Sequence, residues 1–279
     1  MPAAAGIPLR YCRDKLGGPG SAAYYSLLFS PPAAQPALTA LHALARELDD
    51  VADECTDTGV ARAKLGWWQE ELARAFDNRP RHPVTRVLAP ALSRHPVARA
   101  ALAELVEAAA ARLPPVRFPD FDALHADCRR AGGALAELDA VLLGAPAPAE
   151  ARALGTALEL AERLNDLGLH LRRDRLPLPL ADLTRFGVRE SELRSGHASD
   201  AIGALLAFEA ERAAHLLRAT LAALPDNVRR PLQPARTRAH LALARLALAR
   251  RRGYPLLARR LMLTPLRGLW IAWRAQYRN

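Results

Sequence analysis

Apolar residues recur at helical spacing along nearly the whole chain, and a period-two alternation persists nowhere over a useful length. A chain with that pattern has no amphipathic strands from which to build a sheet. Alanine, leucine and arginine dominate, while β-branched and aromatic residues are few, a bias that favours helix almost everywhere. Prolines punctuate the pattern at Pro31-Pro32, Pro80 and Pro83, Pro114-Pro115 and Pro119. They also punctuate it in Leu176-Pro177-Leu178-Pro179-Leu180, where each Pro disfavours the α conformation in the residue before it. Between these breaks the spacing predicts helices at about 21–29, 36–54, 60–76, 84–93, 97–113, 120–143, 148–171, 198–223, 227–252 and 255–276. Residues 1–20, rich in Gly and Pro, read as an irregular N-terminal arm, and 21–279 as one domain without repeat or linker. The expected fold class is all-α, an antiparallel helical bundle with short connections. Because 51% of the chain is hydrophobic, it has enough apolar surface for a sizeable core.

The formal net charge is +10, almost all of it arginine, since Lys15 and Lys64 are the only lysines. Such a balance suits anionic partners: diphosphates, acidic lipid headgroups or nucleic acid. Cys12, Cys55 and Cys128 are odd in number, widely spaced and without a CxxC pair, which argues against a disulfide framework or zinc site and fits a reducing cytoplasm. The N-terminus lacks a signal-peptide pattern, and no run of about 18 uncharged apolar residues suggests a transmembrane helix. Arg236, Arg238, Arg245, Arg250, Arg251, Arg252, Arg259 and Arg260 cluster near the C-terminus beside Leu256, Leu257, Leu261 and Leu263. Arginines on an amphipathic helix fit an anionic membrane surface better than nucleic acid. The expected location is therefore cytoplasmic and peripheral on the inner face of the membrane, with no nucleic-acid partner. The pattern sets no oligomeric state.

Two helices carry unusual polar stripes. On 36–54, Arg46, Asp49, Asp50 and Asp53 share one side, next to an apolar stripe of Leu38, Leu41, Ala45, Leu48 and Ala52. Like charges at this spacing repel, and a hard cation such as Mg²⁺, which commonly bridges to substrate phosphates, would relieve the repulsion. On 148–171, Glu159, Glu162, Asp166 and His170 fall at spacings of three, four and four, and Arg172, Arg173 and Arg175 come directly after. Facing each other across a cavity, the stripes would clamp metal ions on a diphosphate while the arginines hold its oxygens. Taken singly, each has a plain alternative: a solvated acidic face, or an amphipathic helix with a basic C-terminal end. His42 lies on the first helix, where a satisfied core histidine is an equally good reading.

In motif order, the chain resembles the squalene/phytoene synthase family, the head-to-head class of isoprenyl diphosphate synthases. Ser21-Ala-Ala-Tyr-Tyr-Ser-Leu-Leu-Phe-Ser-Pro-Pro looks like its opening helix, and Leu41 to Glu54 like its first aspartate-rich motif, DxxxD. Cys128 to Leu135 resembles YCxxxAGxV, with Asp127 where tyrosine is usual. Asn165 to Val188 resembles the second aspartate-rich motif with its RxxLP and short FGV segments. Arg252-Gly253-Tyr254 with Leu266-Arg-Gly-Leu-Trp resembles the closing segment. The second motif typically reads NxxRDxxxD; here Glu162, Asn165, Asp166 and His170 stand at those positions, so only Asp166 is retained.

The resemblance implies a bundle of the isoprenoid synthase type with a central cavity, and condensation of two farnesyl or geranylgeranyl diphosphates with loss of diphosphate. The product would be squalene, phytoene or the cyclopropyl diphosphate intermediate. It implies Asp49, Asp53 and Asp166 as catalytic metal ligands with Glu162 and His170 as partners, for Mg²⁺ or Mn²⁺. It also implies Ser21, Arg46, Arg175 and Tyr254 as substrate-binding residues. A nitrogen at His170 suits transition metals better than Mg²⁺. The second reading is a non-catalytic helper similar to a mitochondrial complex I assembly relative, a branch that Trp68, Asp77 to Pro83, Trp273 and Tyr277 resemble. A carboxylate-bridged di-metal bundle lacks its two Glu-x-x-His motifs, and no phosphate loop, nucleophile elbow or dinucleotide fingerprint is present.

Overall fold

The structure is a computed structural model and describes residues 3–18, 21–113, 115–145, 148–196 and 199–277. Met1, Pro2, Pro19 and Gly20 of the expected arm, Pro114 of the expected loop, and Arg278 and Asn279 at the end of the expected domain lie outside the described residues. In chain order the helices are α1 (Ala3–Leu16), α2 (Ala22–Leu27), α3 (Gln35–Glu54), α4 (Thr58–Phe76), α5 (Pro83–Leu92) and α6 (Ala98–Ala111). Next come α7 (Phe121–Cys128), a π-helical turn (Arg129–Gly133), α8 (Ala134–Leu142), α9 (Pro148–Asn165), α10 (Leu167–Arg172), α11 (Leu180–Arg185) and α12 (Glu190–Ser195). The chain closes with α13 (Asp200–Ala222), α14 (Asp226–Arg229), α15 (Gln233–Arg251) and α16 (Pro265–Tyr277). Among the described residues there is no strand, only one isolated bridge between Phe118 and Pro179. The fold is all-α, as expected.

The two largest apolar cores among the described residues form where the helical stripes meet. One joins α3, α4, α5, α6 and α8 through Leu41, Leu44, Leu65, Leu88, Leu102 and Leu138. The other joins α9, α13 and α15 through Leu154, Leu158, Leu205, Leu217, Ala239 and Leu246. Each fully buried leucine contributes roughly 1.5–3 kcal/mol. Helix α9 connects the two halves, packing on α8, α13, α15 and the π turn. Its approach to the π turn is close enough to require glycine: a Cβ on Gly155 would lie 2.2 Å from the Gly132 carbonyl oxygen, and one on Gly132 would lie 2.5 Å from Glu159 Cβ. The wide π turn also resets the side-chain register just after Asp127.

Several expectations change. The arm is not irregular over its described part: α1 is a docked helix, with Cys12 buried and the Tyr11 hydroxyl donating to Glu47 on α3 at 2.5 Å. The expected 148–171 helix breaks at Asp166 into α9 and α10. The expected 255–276 helix begins only at Pro265, because the preceding segment, a turn at 256–258 followed by irregular chain, lies against α10, where Gly168 N–H donates to Leu256 O at 3.2 Å. A Cβ on Gly168 would meet Leu257 O at 2.2 Å.

The Trp68 and 77–83 region also has a local explanation. Buried Glu71 accepts from Arg81 N–H (2.7 Å), His82 N–H (2.8 Å) and Thr85 Oγ1 (2.5 Å) and pairs with Arg74. Burial pushes its carboxyl up, but these donors outweigh it and hold it down at about 2. His82 in turn packs edge-on against Tyr11, Trp67 and Trp68. The motif thus ties the α4–α5 connection to α1.

Leu256 and Leu261 are buried, so the apolar residues expected to face a membrane point inward instead. The exposed apolar stripe is on α16: Leu266, Leu269, Trp270 and Trp273, at spacings of three, four and seven from the first.

Gly155→Ala is expected to cost about 1–3 kcal/mol by overpacking α9 against the π turn. The check is a lower urea midpoint at unchanged m-value.

Candidate active site

A cavity of about 680 Å³ opens between the two cores. Helix α3 contributes His42, Arg46, Asp49, Asp50 and Asp53, and α9 with its break contributes Glu159, Glu162, Arg163 and Asp166. Helix α10 and its C-cap add Leu169, His170 and Arg173, α15 adds Arg238, Leu241 and Arg245, and Arg260 to Leu263 close one side. The two polar stripes predicted from spacing therefore face one cavity, and Asp49, Asp53, Glu162, Asp166 and His170 all line it.

Every carboxylate of these stripes that lines the inner wall is met by a guanidinium from another part of the chain or the next turn. Arg112, at the C-cap of α6, donates to Asp49 at 2.5 Å. Arg173 and Arg175 donate to the two oxygens of Asp53 at 2.7 and 2.5 Å. Asp50 takes Lys15 at 2.7 Å and Arg46 at 3.7 Å. Across the cavity Arg163 holds Glu159 at 2.8 Å, and Arg245 pairs with Glu162. Burial would raise the Glu162 carboxyl, and Arg245 and Arg238 together hold it below the usual range.

Asp166 behaves differently. Burial and the Glu162 charge push its carboxyl up to about 6, against the pull of Arg260 and Arg245. Arg260 Nε lies 2.6 Å from Oδ1 without the alignment of a hydrogen bond, so that buried oxygen has no hydrogen-bond partner. His170 is pushed down to about 3, first by burial and then by the Arg163, Arg112 and Arg175 charges, with Asp53 opposing. At neutral pH it is a neutral imidazole.

The other expected residues divide. Ser21 lines the cavity as N-cap of α2, its Oγ accepting from Tyr24 N–H at 3.0 Å. Arg46 sits at the rim with its side chain 56% exposed. Arg175 does not line the cavity and is spent on protein groups: Nε donates to Arg112 O at 3.1 Å, Nη1 to Asp53, and Nη2 to Ala52 O at 2.5 Å. It positions Asp53, whereas Arg173 lines the cavity. Tyr254 is also displaced from the expected role. It takes a left-handed φ of 55° after Gly253, ends α15, and packs against the α9–α13–α15 core. His42 satisfies both of its readings, bonding Asp139 at 3.0 Å while lining the cavity.

The departures from the family motif have structural roles. Asn165 pins the Leu261 backbone from both sides, accepting from its N–H at 3.2 Å and donating to its C=O at 3.4 Å. That grip holds Arg260 against Asp166. Asp127, where the family carries tyrosine, accepts from Arg163 at 2.8 Å and Arg130 at 3.1 Å. Burial would raise its carboxyl, but these two arginines outweigh it. Arg112 and Arg163 were not legible as site residues, because neither belongs to a charged run that points to a partner.

Among the described residues no three His, Cys, Asp or Glu side chains converge on one point to hold a metal. The α3 pair Asp49 and Asp53 still offers hard oxygens from one helix, a set that fits Mg²⁺ completed by water and phosphate oxygens. On the far wall the orphaned Asp166 Oδ1, Glu162 and the neutral His170 nitrogen are the available donors. Thus the residues present fit a divalent cation better on α3 than on α9.

The sequence model described as squalene/phytoene synthase matches residues 16–267. The chain is 31% identical over 255 residues to a phytoene synthase of Mycobacterium tuberculosis, covering 89% of this chain and 84% of that one. It is 35% identical over 208 residues to a phytoene synthase of Thermus thermophilus, covering 73% and 71%. In structure it is similar to a dehydrosqualene synthase in complex with ligand, with TM-score 0.83, 20% identity, and 98% and 97% of the two chains covered. It is also similar to a squalene synthase of Alicyclobacillus acidocaldarius, with TM-score 0.76, 24% identity, and 91% and 97% covered.

Asp127→Asn is expected to destabilise the protein by about 3 kcal/mol at pH 7, because a buried guanidinium loses a charged partner. The folded-state pKa of Asp127 is depressed, so its stabilisation is present above pH about 4 and is lost as pH falls through the folded value. Denaturant titrations of both proteins across that range would show the gap closing in acid; a constant gap would refute the ionic contribution.

Proposed function

The chain belongs to the squalene/phytoene synthase family, and we propose that it condenses two prenyl diphosphates, farnesyl or geranylgeranyl, head to head with loss of diphosphate. The reaction leads towards squalene, phytoene or the cyclopropyl diphosphate intermediate. The observation that carries this reading is a cavity with carboxylates and guanidiniums on both walls and apolar groups such as Ala45, Leu135, Leu169 and Leu241 in its lining. Guanidiniums fixed before the reaction stabilise charge that develops on a departing diphosphate, at no reorganisation cost when the bond breaks. Arg173, Arg245 and Arg260 are the arginines of the wall suited to it, with Arg46 and Ser21 at the entrance. The apolar stretch keeps water from an allylic cation.

Mg²⁺, or Mn²⁺ in its place, would be held by Asp49 and Asp53, and on the other wall by Asp166 with Glu162 and His170. When bound it adds Lewis-acid neutralisation of the diphosphate oxygens. Arg175 keeps the Asp53 carboxylate turned to the cavity, and Arg112 does the same for Asp49.

The helper reading is not favoured. The mycobacterial and Thermus relatives are named as phytoene synthases, and the 77–83 segment that suggested the helper is accounted for by the Glu71 anchor. The decisive experiment measures diphosphate release from farnesyl and geranylgeranyl diphosphates with Mg²⁺. The Asp49→Asn/Asp53→Asn variant is expected to lose at least about 10²-fold in rate. A folded wild type that releases nothing would refute the reading.

The reading extends to a cytoplasmic protein docked on an anionic membrane. No helix of the described residues is long and apolar enough to cross a membrane. Support comes from α16, whose exposed Leu266, Leu269, Trp270 and Trp273 are accompanied by Arg267 and Arg274. The neighbouring Met262, Leu263 and Gly268 line the cavity, so a prenyl chain would pass from lipid to site without crossing water. Flotation with phosphatidylglycerol vesicles is expected to be salt-sensitive and to weaken in Leu266→Ser/Trp270→Ser. Equal flotation of variant and wild type would rule out this face.

A further inference from the structure

Three guanidiniums of the cavity wall, Arg112, Arg163 and Arg245, each have a buried donor without a hydrogen-bond partner, and Arg163 and Arg112 act on each other. Arg163 lies on α9 between Glu159 and Asp166 and is only 6% exposed. Its Nε donates to Glu159 and its Nη1 to Asp127, each at 2.8 Å. Its Nη2 is buried and has no hydrogen-bond partner, and the side chain lines the cavity. Arg112 shares this wall and has the same feature: Nη2 is on Asp49, while Nε is buried without a partner. The two guanidiniums are near enough that each charge acts on the other and both act on His170.

A guanidinium has no acceptor and holds its donors in a rigid planar fork. Two carboxylates anchor the Arg163 fork, so its remaining N–H bonds cannot swing away to find a protein carbonyl. Buried donors left unmade are costly, and a hydrocarbon chain cannot satisfy them. The missing partner is an acceptor oxygen that enters from the cavity, and an anionic one suits two adjacent guanidiniums best. Burial works against the Arg163 charge, and the Glu159 and Asp127 carboxylates outweigh it, so the group stays ionised.

We infer that Arg163, with Arg112 beside it, forms a metal-independent subsite for phosphoryl oxygens of a prenyl diphosphate on the inner wall of the cavity. The identity of the ligand rests on the prenyl transfer reading above. The subsite differs from the carboxylate sites in needing no cation: its donors are covalently part of the protein and already charged. Asp127 acts as its positioning residue, since it fixes Nη1 and thereby the plane of the fork.

The test is calorimetric binding of inorganic diphosphate in excess EDTA, with thermal unfolding and Mg²⁺-dependent turnover measured on the same proteins. Wild type is expected to bind without divalent cation. Arg163→Lys keeps the charge beside Glu159 and Asp127 but loses the fork, and is expected to bind at least about tenfold more weakly and to raise KM more than it lowers kcat. Arg112→Lys, which disturbs a single ion pair, is the second variant and is expected to weaken binding in the same direction. Binding by wild type only when Mg²⁺ is present would overturn the inference. So would a lowered melting temperature with unchanged diphosphate affinity in both variants, the signature of a purely structural pair. Cation-free binding that depends on Arg163, in a protein that turns over neither prenyl diphosphate, would overturn the transferase reading and leave the subsite standing.

Discussion

Pairing of guanidiniums with carboxylates that would otherwise repel one another is the constraint on which the cavity depends. Asp49, Asp50 and Asp53 crowd one face of α3, and Glu159, Glu162 and Asp166 crowd the facing segment. Each cluster would be hard to bury alone, since ionised groups leave water at large cost unless paired. Arginines from other segments supply the pairs: Arg112 for Asp49, Arg173 and Arg175 for Asp53, Arg245 for Glu162. Arginine rather than lysine at these positions suits that task. A planar fork can hold a carboxylate and a backbone carbonyl together, as Arg175 does with Asp53 and Ala52, and it is less strongly hydrated than an ammonium.

The same pairing explains how the chain tolerates its departures from the family motif. With asparagine at 165, the helix break at Asp166 is stabilised by a two-point grip on Leu261, which brings in Arg260 as a cation. With aspartate at 127, a buried negative charge is matched by Arg163. With histidine at 170, burial first and then the surrounding arginines keep the ring neutral, so that position carries one negative charge fewer than an aspartate would give. These exchanges move charge about the far wall, and Arg163 and Arg260 pair with the carboxylates that result.

Much of the secondary structure was legible because it depends on local pattern. The apolar stripe of Leu38, Leu41, Ala45 and Leu48 predicts α3, and the prolines mark its neighbours. The failures came where tertiary contacts set local conformation. Gly- and Pro-containing α1 is helical because Cys12, Tyr11 and Lys15 dock on α3 and its surroundings. The 255–264 segment has helical composition yet forms only a turn at 256–258 and then irregular chain, and α10, through Gly168, offers it a backbone partner.

The site follows the same division. Sequence alone determined the all-α class, the two polar stripes, and the motif order that carries the family, because helical period and residue type are properties of neighbours three and four positions apart. It gave no access to Arg112 or Arg163, nor to the protein contacts of Arg175 and Tyr254, because the use of a guanidinium or a ring depends on what lies opposite. Only the tertiary structure decided that Arg175 faces Asp53 and Ala52 and that Tyr254 ends α15 against the core. It also decided that Arg163, in the cavity wall, has a buried donor without a protein partner. Long-range pairing fixes which charges are spent and which remain free, and partners separated by tens of residues leave no periodic trace in the chain.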